Sequence, residues 1–115
     1  MNDHHAEALI ASGLVDDVVD ISALAPRPYR YTESEIICRH GDPVVSLWVI
    51  VNGSVAVKEG ETTFFIRRRN EVIGEQHLVG SGYRRIYDLV ACESSVELLV
   101  IDKARIEAHP EAGVL

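Results

Sequence analysis

Basic residues, cysteine and aromatic side chains are all scarce in this 115-residue chain. Lysine and arginine number 11 against 18 aspartates and glutamates, which gives a formal net charge of −7. A surface that binds the nucleic-acid backbone normally presents clustered basic groups, so this balance argues against a nucleic-acid partner. The length suffices to bury a core without covalent cross-links, and we expect a single domain over residues 1–115.

Cysteine is limited to two positions, Cys38 and Cys92, each within a short apolar segment. Such a pair predicts reduced residues inside the fold of a cytosolic protein rather than a disulfide framework. The first residues lack the basic start and apolar run of a secretion signal, and no apolar stretch reaches the length that spans a bilayer. We therefore expect a cytoplasmic protein that does not enter the membrane by itself.

Signatures of catalysis are also missing from the sequence. None of the five histidines shows the His-x-His spacing that places two imidazoles on one strand face. There is no Gly-x-Ser-x-Gly, Cys–His or Walker-type pattern either. The adjacent His4 and His5 suggest no more than adventitious metal binding, so we expect neither an enzyme nor a metal centre, and no cofactor.

The first two dozen residues carry apolar side chains at helical spacing. Leucine, isoleucine and valine recur there at three- and four-residue steps, which predicts an amphipathic stripe. Gly13 divides the segment, so we predict a short first turn followed by a helix over residues 15–24. Pro26 and Pro28 end it, because proline removes a backbone donor and restricts the preceding residue. Residues 1–26 are thus the predicted N-terminal helical segment.

Short apolar segments alternate with turn residues from Tyr29 onward. Asn52-Gly53 is the strongest hairpin signal, because both central positions of a type I′ turn require positive φ. Residues 27–102 are therefore predicted to hold the strands. The predicted strands are Ile36–Cys38, Ser46–Val51, Ser54–Lys58, Thr62–Arg68, Ile86–Ala91 and Val96–Asp102.

A last short helix is predicted over Lys103–Ala108, within a C-terminal segment of residues 103–115, with Asp102 as its N-cap. Helices followed by many short antiparallel strands and a final helix favour a mainly β fold with flanking α-helices. The pattern is typical of a jelly-roll β-barrel of about eight strands.

The segment Val72 to Glu75, followed by Arg84-Arg85, has the clearest binding chemistry in the sequence. A backbone without a side chain at Gly74 can approach a phosphate closely, and the Glu75 carboxylate can accept from a sugar hydroxyl. A guanidinium can fork onto two phosphate oxygens. A small phosphorylated sugar uses all three groups at once, whereas the Arg67-Arg68-Arg69 run is interpreted as a solvated strand end.

The order of these motifs resembles that of the cyclic nucleotide-binding domain. That family includes the sensor domains of catabolite activator proteins, cyclic-nucleotide-dependent kinases and gated channels. The resemblance spans residues 15–108 and implies a regulatory domain that binds cAMP or cGMP, with an effector domain or a homodimer partner. The motifs that carry it are Ile36-Ile37, Gly41-Asp42-Pro43, Leu47 to Gly53, Val55 to Val57, Ile73 to Glu75, Arg85 and Leu98 to Asp102.

The resemblance implies roles for individual residues. Ile73-Gly74-Glu75 matches the Phe-Gly-Glu opening of the family's phosphate-binding cassette, with Glu75 bonding the ribose 2′-hydroxyl. A short cassette helix near Gln76 and His77 presents its amides to the cyclic phosphate, where the helix dipole adds to the attraction. An arginine then pairs with the exocyclic phosphate oxygens.

Two neighbouring arginines compete for that last role. Counting forward from Glu75 selects Arg84, whereas counting back from the following strand selects Arg85. Alternation along that strand places Arg85 and Tyr87 on one side and Arg84 on the other, and strand register shifts less easily than loop length, which favours Arg85. The candidate ligand-binding residues are Gly74, Glu75, Gln76, His77, Arg84, Arg85, Ile86 and Tyr87.

The sequence departs from the family at several of these positions. Bulky Ile86 and Tyr87 and acidic Asp88 stand where the family has small or hydroxylated residues and a threonine. The long helix that lids the base in the family has no counterpart within residues 103–115. Two hypotheses therefore stay open, a cyclic nucleotide sensor and a degenerate barrel that acts through protein contacts without binding nucleotide.

Overall fold

The computed structural model describes residues 3–13, 21–74 and 84–108. Across these ranges the chain has eight strands and three short helical elements. The helical elements are α1 (Asp3–Ala11), a 3-10 helix (Ile21–Leu24) and α2 (Lys103–Glu107). The strands are β1 (Arg27–Tyr31), β2 (Ile36–Cys38), β3 (Ser46–Asn52), β4 (Ser54–Glu59), β5 (Thr62–Arg68), β6 (Val72–Ile73), β7 (Asp88–Ala91) and β8 (Val96–Asp102).

The strands form two four-stranded antiparallel sheets. The first sheet has the order β1-β8-β3-β6 and the second has the order β2-β7-β4-β5. The predicted mainly β fold, with about eight strands and flanking helices, is confirmed.

Strand β3 is buried on both faces because the first sheet lies between the helices and the second sheet. Its side chains alternate between two hydrophobic clusters, as the two-residue period of a strand requires. Leu47, Val49 and Val51 belong to the cluster that contains Leu9 of α1 and Ile106 of α2. Trp48 and Ile50 belong to the cluster between the sheets, with Val55, Val57, Ile73 and Leu89. Continuous apolar character in β3 follows from this double burial.

The N-terminal helices differ from the prediction. Helix α1 occupies nine residues before Gly13, where we predicted a single short turn, and residues 21–24 form a 3-10 helix rather than the end of an α-helix. The remainder of the predicted second helix, residues 14–20, lies outside the described residues. A helix as short as α1 is marginal by itself, so tertiary packing decides its bounds. Ala8 and Leu9 supply that packing, because both are buried against β3.

Strands β1, β6 and β7 differ most from the prediction, and β3 and β4 each end one residue later than predicted. No separate strand was predicted over Arg27–Tyr31, because Pro26 and Pro28 were interpreted as the end of the N-terminal helix. The structure accommodates Pro28 in an edge strand, where a missing backbone donor is tolerated. The two-residue β6 is too short to give a periodic signal. Strand β7 begins at Asp88 instead of Ile86, because residues 86–87 form a bend.

The C-terminal helix begins where the sequence predicts and ends one residue earlier. Asp102 occupies the N-cap position, but its side chain makes no capping hydrogen bond. Its carboxylate instead accepts from the Arg27 guanidinium at 2.7 Å, which ties the start of β1 to the end of β8.

Candidate functional site

A cleft that is partly open to solvent lies over the second sheet beside the end of β6. Its walls are mainly apolar and aromatic, with two guanidinium groups among them. The lining residues are Val57, Phe65, Arg67, Val72, Ile73, Gly74, Arg85, Ile86, Tyr87 and Leu89. Two segments singled out from the sequence, one at Gly74 and one at Arg85, therefore meet at a single concave surface.

Gly74 lies at the point where β6 ends, and its conformation suits glycine alone. Its φ of +78° is left-handed, a region that side chains disfavour. A Cβ built there would lie 2.7 Å from Cζ3 of Trp48 and 2.8 Å from Nη1 of Arg85. The sequence predicted that an absent side chain would let a ligand approach. In this structure the space left by the absent side chain is occupied by the side chains of Trp48 and Arg85.

Arg85 is a buried side chain, with 7% of its surface exposed. Its Nη1 donates to the carbonyl of Gly74 at 2.7 Å, and its Nη2 donates to the carbonyl of Ser46 at the start of β3. The guanidinium lies over the Trp48 ring, with Cζ 4.7 Å from the ring centroid, a cation–π distance. These contacts orient the charged group at the base of the cleft.

The backbone of Arg85 is held as firmly as its side chain. Its N–H donates to the carbonyl of Asp42 at 2.7 Å, and its carbonyl accepts from the N–H of Gly41 at 2.8 Å. Gly41 supports this turn with a φ of +93°. The Gly41-Asp42-Pro43 turn thus holds the backbone of Arg85 in place through two hydrogen bonds.

Arg84 points away from the cleft. Its side chain is exposed, and its Nη1 lies 3.5 Å from the carbonyl of Gly41. The residue makes an isolated bridge with Pro43. The structure therefore brings Arg85 to the cleft and leaves Arg84 on the surface.

The residues that follow Arg85 are arranged differently from a regular strand. Both Ile86 and Tyr87 line the cleft, because they lie in a bend before β7 where side chains need not alternate. Asp88, an acidic residue at a position where the family has a threonine, is not among the lining residues. Its carboxylate accepts the backbone N–H of His40 at 2.7 Å, so it stabilises the neighbouring turn.

The predicted Glu75, Gln76 and His77, together with the predicted cassette helix, lie outside the described residues. Six lining residues were not among the predicted ligand-binding residues: Val57, Phe65, Arg67, Val72, Ile73 and Leu89. The interpretation of Arg67 as part of a solvated strand end was therefore wrong, because its side chain lines the cleft. Arg67 lies over the Phe65 ring at 5.2 Å and pairs with Glu71 at 3.5 Å. The two-residue period of β5 puts Phe65 and Arg67 on the same face, and that signal could have identified them together.

Other candidate chemistry is distributed elsewhere in the described residues. Neither cysteine is in a disulfide; Cys38 is buried, and burial raises the pKa of its thiol to about 11. His5 lies 3.1 Å from Glu97, which ties α1 to β8.

Residues 3–13, 21–74 and 84–108 contain no group of three side chains suited to a metal ion. None of the helices in those ranges has the length and apolar character needed to cross a membrane.

Comparison with known proteins identifies a matching family model and several solved structures of similar fold. The model of the cyclic nucleotide-binding domain family matches residues 28–109. No curated protein matches the chain.

Solved structures share the fold at low sequence identity. One is a mutant regulatory subunit of a cAMP-independent protein kinase A from Trypanosoma brucei, bound to cAMP in the A site. Its identity is 13% and its TM-score 0.77, with 94% of this chain and 43% of that chain covered. Another is the c-di-GMP responsive global regulator CLP of Xanthomonas campestris, with 24% identity, a TM-score of 0.65, and coverage of 77% and 47%.

A third is the N-terminal domain of a transcriptional regulator from Streptomyces coelicolor, with 19% identity, a TM-score of 0.69, and coverage of 90% and 82%. This chain thus spans less than half the length of the first two proteins. Identities below 25% establish a common fold and nothing finer.

Proposed function

The chain belongs to the cyclic nucleotide-binding domain family, and from that premise we propose that it binds a cyclic purine nucleotide, cAMP or cGMP, in the cleft lined by Gly74 and Arg85. The bound nucleotide regulates an effector domain or a partner protein. Proteins of the same fold include a kinase regulatory subunit bound to cAMP, which supports the choice of ligand class.

The observation that carries the proposal is the contact between Arg85 and Gly74, 2.7 Å from Nη1 to the carbonyl oxygen. It places a permanently charged guanidinium in the wall of a cleft whose remaining surface is mostly apolar. A cyclic nucleotide has the matching chemistry, because it carries one anionic phosphate and one flat base. The rings of Phe65 and Tyr87 offer the base an aromatic surface.

Arg85 is oriented for this role by the contacts it already makes. A guanidinium carries five N–H donors in a rigid plane, so it can exchange one carbonyl contact for phosphate oxygens while the other keeps it in place. The Ser46 carbonyl and the Trp48 ring are suited to that holding function. Glu75, directly after Gly74, takes the ribose hydroxyl in this proposal, and the amides near Gln76 and His77 face the phosphate.

Titration calorimetry with cAMP and cGMP tests the proposal on the wild-type chain, on Arg85→Ala and on Arg84→Ala. Removing one partner of a buried charged pair costs about 2–5 kcal/mol, so we expect Arg85→Ala to weaken binding by roughly thirtyfold or more. Arg84→Ala is the matched control, because it removes the same charge one residue away on the exposed surface, and it should bind like the wild type.

Arg85 also contributes to the fold, so urea unfolding of each variant must accompany the titration. Arg85→Lys keeps the charge and loses the planar fork, and we expect it to fold and to bind weakly. Equal losses for Arg84→Ala and Arg85→Ala would contradict the assignment of Arg85.

A degenerate barrel is the second candidate function, and one observation favours it. Arg85 contacts two backbone carbonyls and a tryptophan ring, which are parts of the fold itself. A ligand at a hundred times its dissociation constant stabilises the native state by roughly 2.7 kcal/mol, which a thermal melt detects easily. Flat titrations together with no thermal shift from either nucleotide would select the degenerate barrel.

A further inference from the structure

Strand β5 exposes three consecutive large apolar side chains at an edge of the second sheet, as the described residues define that sheet. Phe64 is 48% exposed, Phe65 52% and Ile66 37%. Unpaired strand edges are templates for pairing with another chain, and natural proteins usually interrupt them with proline or inward-pointing charge. Apolar exposure of this kind at an edge marks an interaction surface.

The charges that flank these apolar residues have opposite signs at the two ends of the strand. Glu59 and Glu61 precede its start, and Arg67, Arg68 and Arg69 follow its centre. Pairing with another strand cannot extend past Arg68, because the N–H of Arg68 already donates to the Glu71 carboxylate at 2.7 Å. The edge that is open to pairing is therefore short, apolar in the middle, acidic at one end and basic at the other.

A strand with this charge distribution is complementary to itself when two copies run antiparallel. In the register centred on Phe65, the two Phe65 side chains face each other across a two-fold axis. Phe64 of each copy then faces Ile66 of the other, and Glu61 and Arg69, in the turns that flank the strand, lie at the same end of the pair. Opposite charges directly across a strand pair stabilise it, whereas like charges destabilise it. A parallel arrangement would place acid against acid and base against base.

We propose that β5 is the docking edge for a second copy of this chain, paired antiparallel about Phe65. Two-fold self-complementary interfaces are the commonest kind in homodimers. The contact is small, so the dimer is weak and concentration-dependent. Phe65 and Arg67 also line the cleft, so pairing sets the two clefts of the dimer beside the shared edge. Dimerisation is measured without nucleotide, although Phe65 is shared with the cleft to which nucleotide binding is assigned.

Sedimentation equilibrium of the wild-type chain and two charge reversals tests this arrangement. Glu61→Arg places like charges at both ends of the homodimer, and Arg69→Glu does the same with the opposite sign. We expect each variant alone to weaken dimerisation about tenfold or more. In the mixed pair opposite charges face each other at both ends, so an equimolar mixture of the two variants should recover most of the wild-type dimerisation.

The controls are Glu33→Arg and Arg105→Glu, which make the same charge changes at exposed positions away from β5. Both should dimerise like the wild type. A wild type that stays monomeric at every concentration would overturn the proposal. So would single reversals that act no more strongly than the controls, or a mixture that fails to recover.

Disulfide cross-linking tests the register separately. Phe65→Cys is expected to form a covalent dimer on mild oxidation, because each new thiol faces its own copy across the axis. Val45→Cys, at another exposed apolar position, should give no more dimer than the wild type with Cys38 and Cys92 alone. Absence of a Phe65→Cys dimer, with a normal urea unfolding curve, would exclude the register centred on Phe65.

Discussion

Gly74 satisfies two constraints at the same position, one conformational and one steric. Its left-handed φ alone costs a side chain about 1–2 kcal/mol, and overpacking against Trp48 and Arg85 adds about 1–3 kcal/mol. We therefore expect Gly74→Ala to lower the free energy of unfolding by about 2–5 kcal/mol, as measured by urea denaturation.

Gly60→Ala is the matched control for this substitution. Gly60 has a φ of +59°, but no heavy atom would lie within 4 Å of its Cβ. We expect it to lose only the conformational part, about 1–2 kcal/mol. If the two variants lost the same free energy, the contacts of Trp48 and Arg85 with Gly74 would not restrict the site.

Cys38 gives the protein a pH dependence at alkaline pH. Burial raises the pKa of its thiol from 9.0 to about 11, so the folded chain holds the proton between those values while the unfolded chain releases it. The unfolded state then binds fewer protons, and the stability present below pH 9 is lost as the pH rises towards about 11.

Unfolding in urea across this pH range should show a steeper loss of stability in the wild type than in Cys38→Ala. The variant retains Tyr31, whose pKa is also raised, chiefly by burial and least by the charge on Cys38. The difference between the two proteins therefore measures the thiol together with its small effect on Tyr31. Parallel curves for the two proteins would mean that Cys38 ionises equally in the folded and unfolded chains.

At the scale of elements, α1 depends on a few side chains for its place on the first sheet. Leu9 is fully buried in the cluster beneath β3, whereas the adjacent Ile10 is 44% exposed. Leu9→Ala should lower the free energy of unfolding by about 2–5 kcal/mol, because it leaves a cavity in a packed cluster.

Ile10→Ala is the control, and we expect a change within about 0.5 kcal/mol, typical of exposed positions. Urea denaturation of both variants measures the difference. Equal, small losses would show that α1 does not dock through Leu9.

Strands β1 and β5 illustrate opposite ways of treating a strand at the edge of a sheet. Edge strand β1 contains Pro28, which cannot donate to a new strand, and the Arg27 side chain is held by Asp102. Edge strand β5 has no proline and presents Phe64 and Phe65. The difference explains why self-association is assigned to β5.

At the scale of the whole molecule, the elements that the sequence predicted are those with local signals. The β3–β4 hairpin, β5 and β8 were found because apolar runs and Asn52-Gly53 mark them directly. Strand β1 was missed and the bounds of helix α1 were wrong, because tertiary partners, β8 and β3, stabilise these elements against their local signals.

In the candidate site, too, only the residues with a local sequence signal could be predicted. Motif order by itself selects Gly74 and the arginine pair. The contacts of Arg85 with Ser46 and Trp48 join residues almost forty positions apart, and no local pattern encodes them. The position of Asp88 outside the cleft depends on the His40 turn, which the sequence could not orient.

Strands β3 and β8 form a wall shared by both hydrophobic clusters. Trp48 contacts Arg85 beneath the cleft, while Leu47 and Val49, its neighbours in β3, face the helices. Because Trp48, Leu47 and Val49 share one extended backbone, a shift of that backbone at Trp48 would also move the side chains that face the helices. The cleft and the helical layer are therefore coupled through one shared pair of strands, β3 and β8.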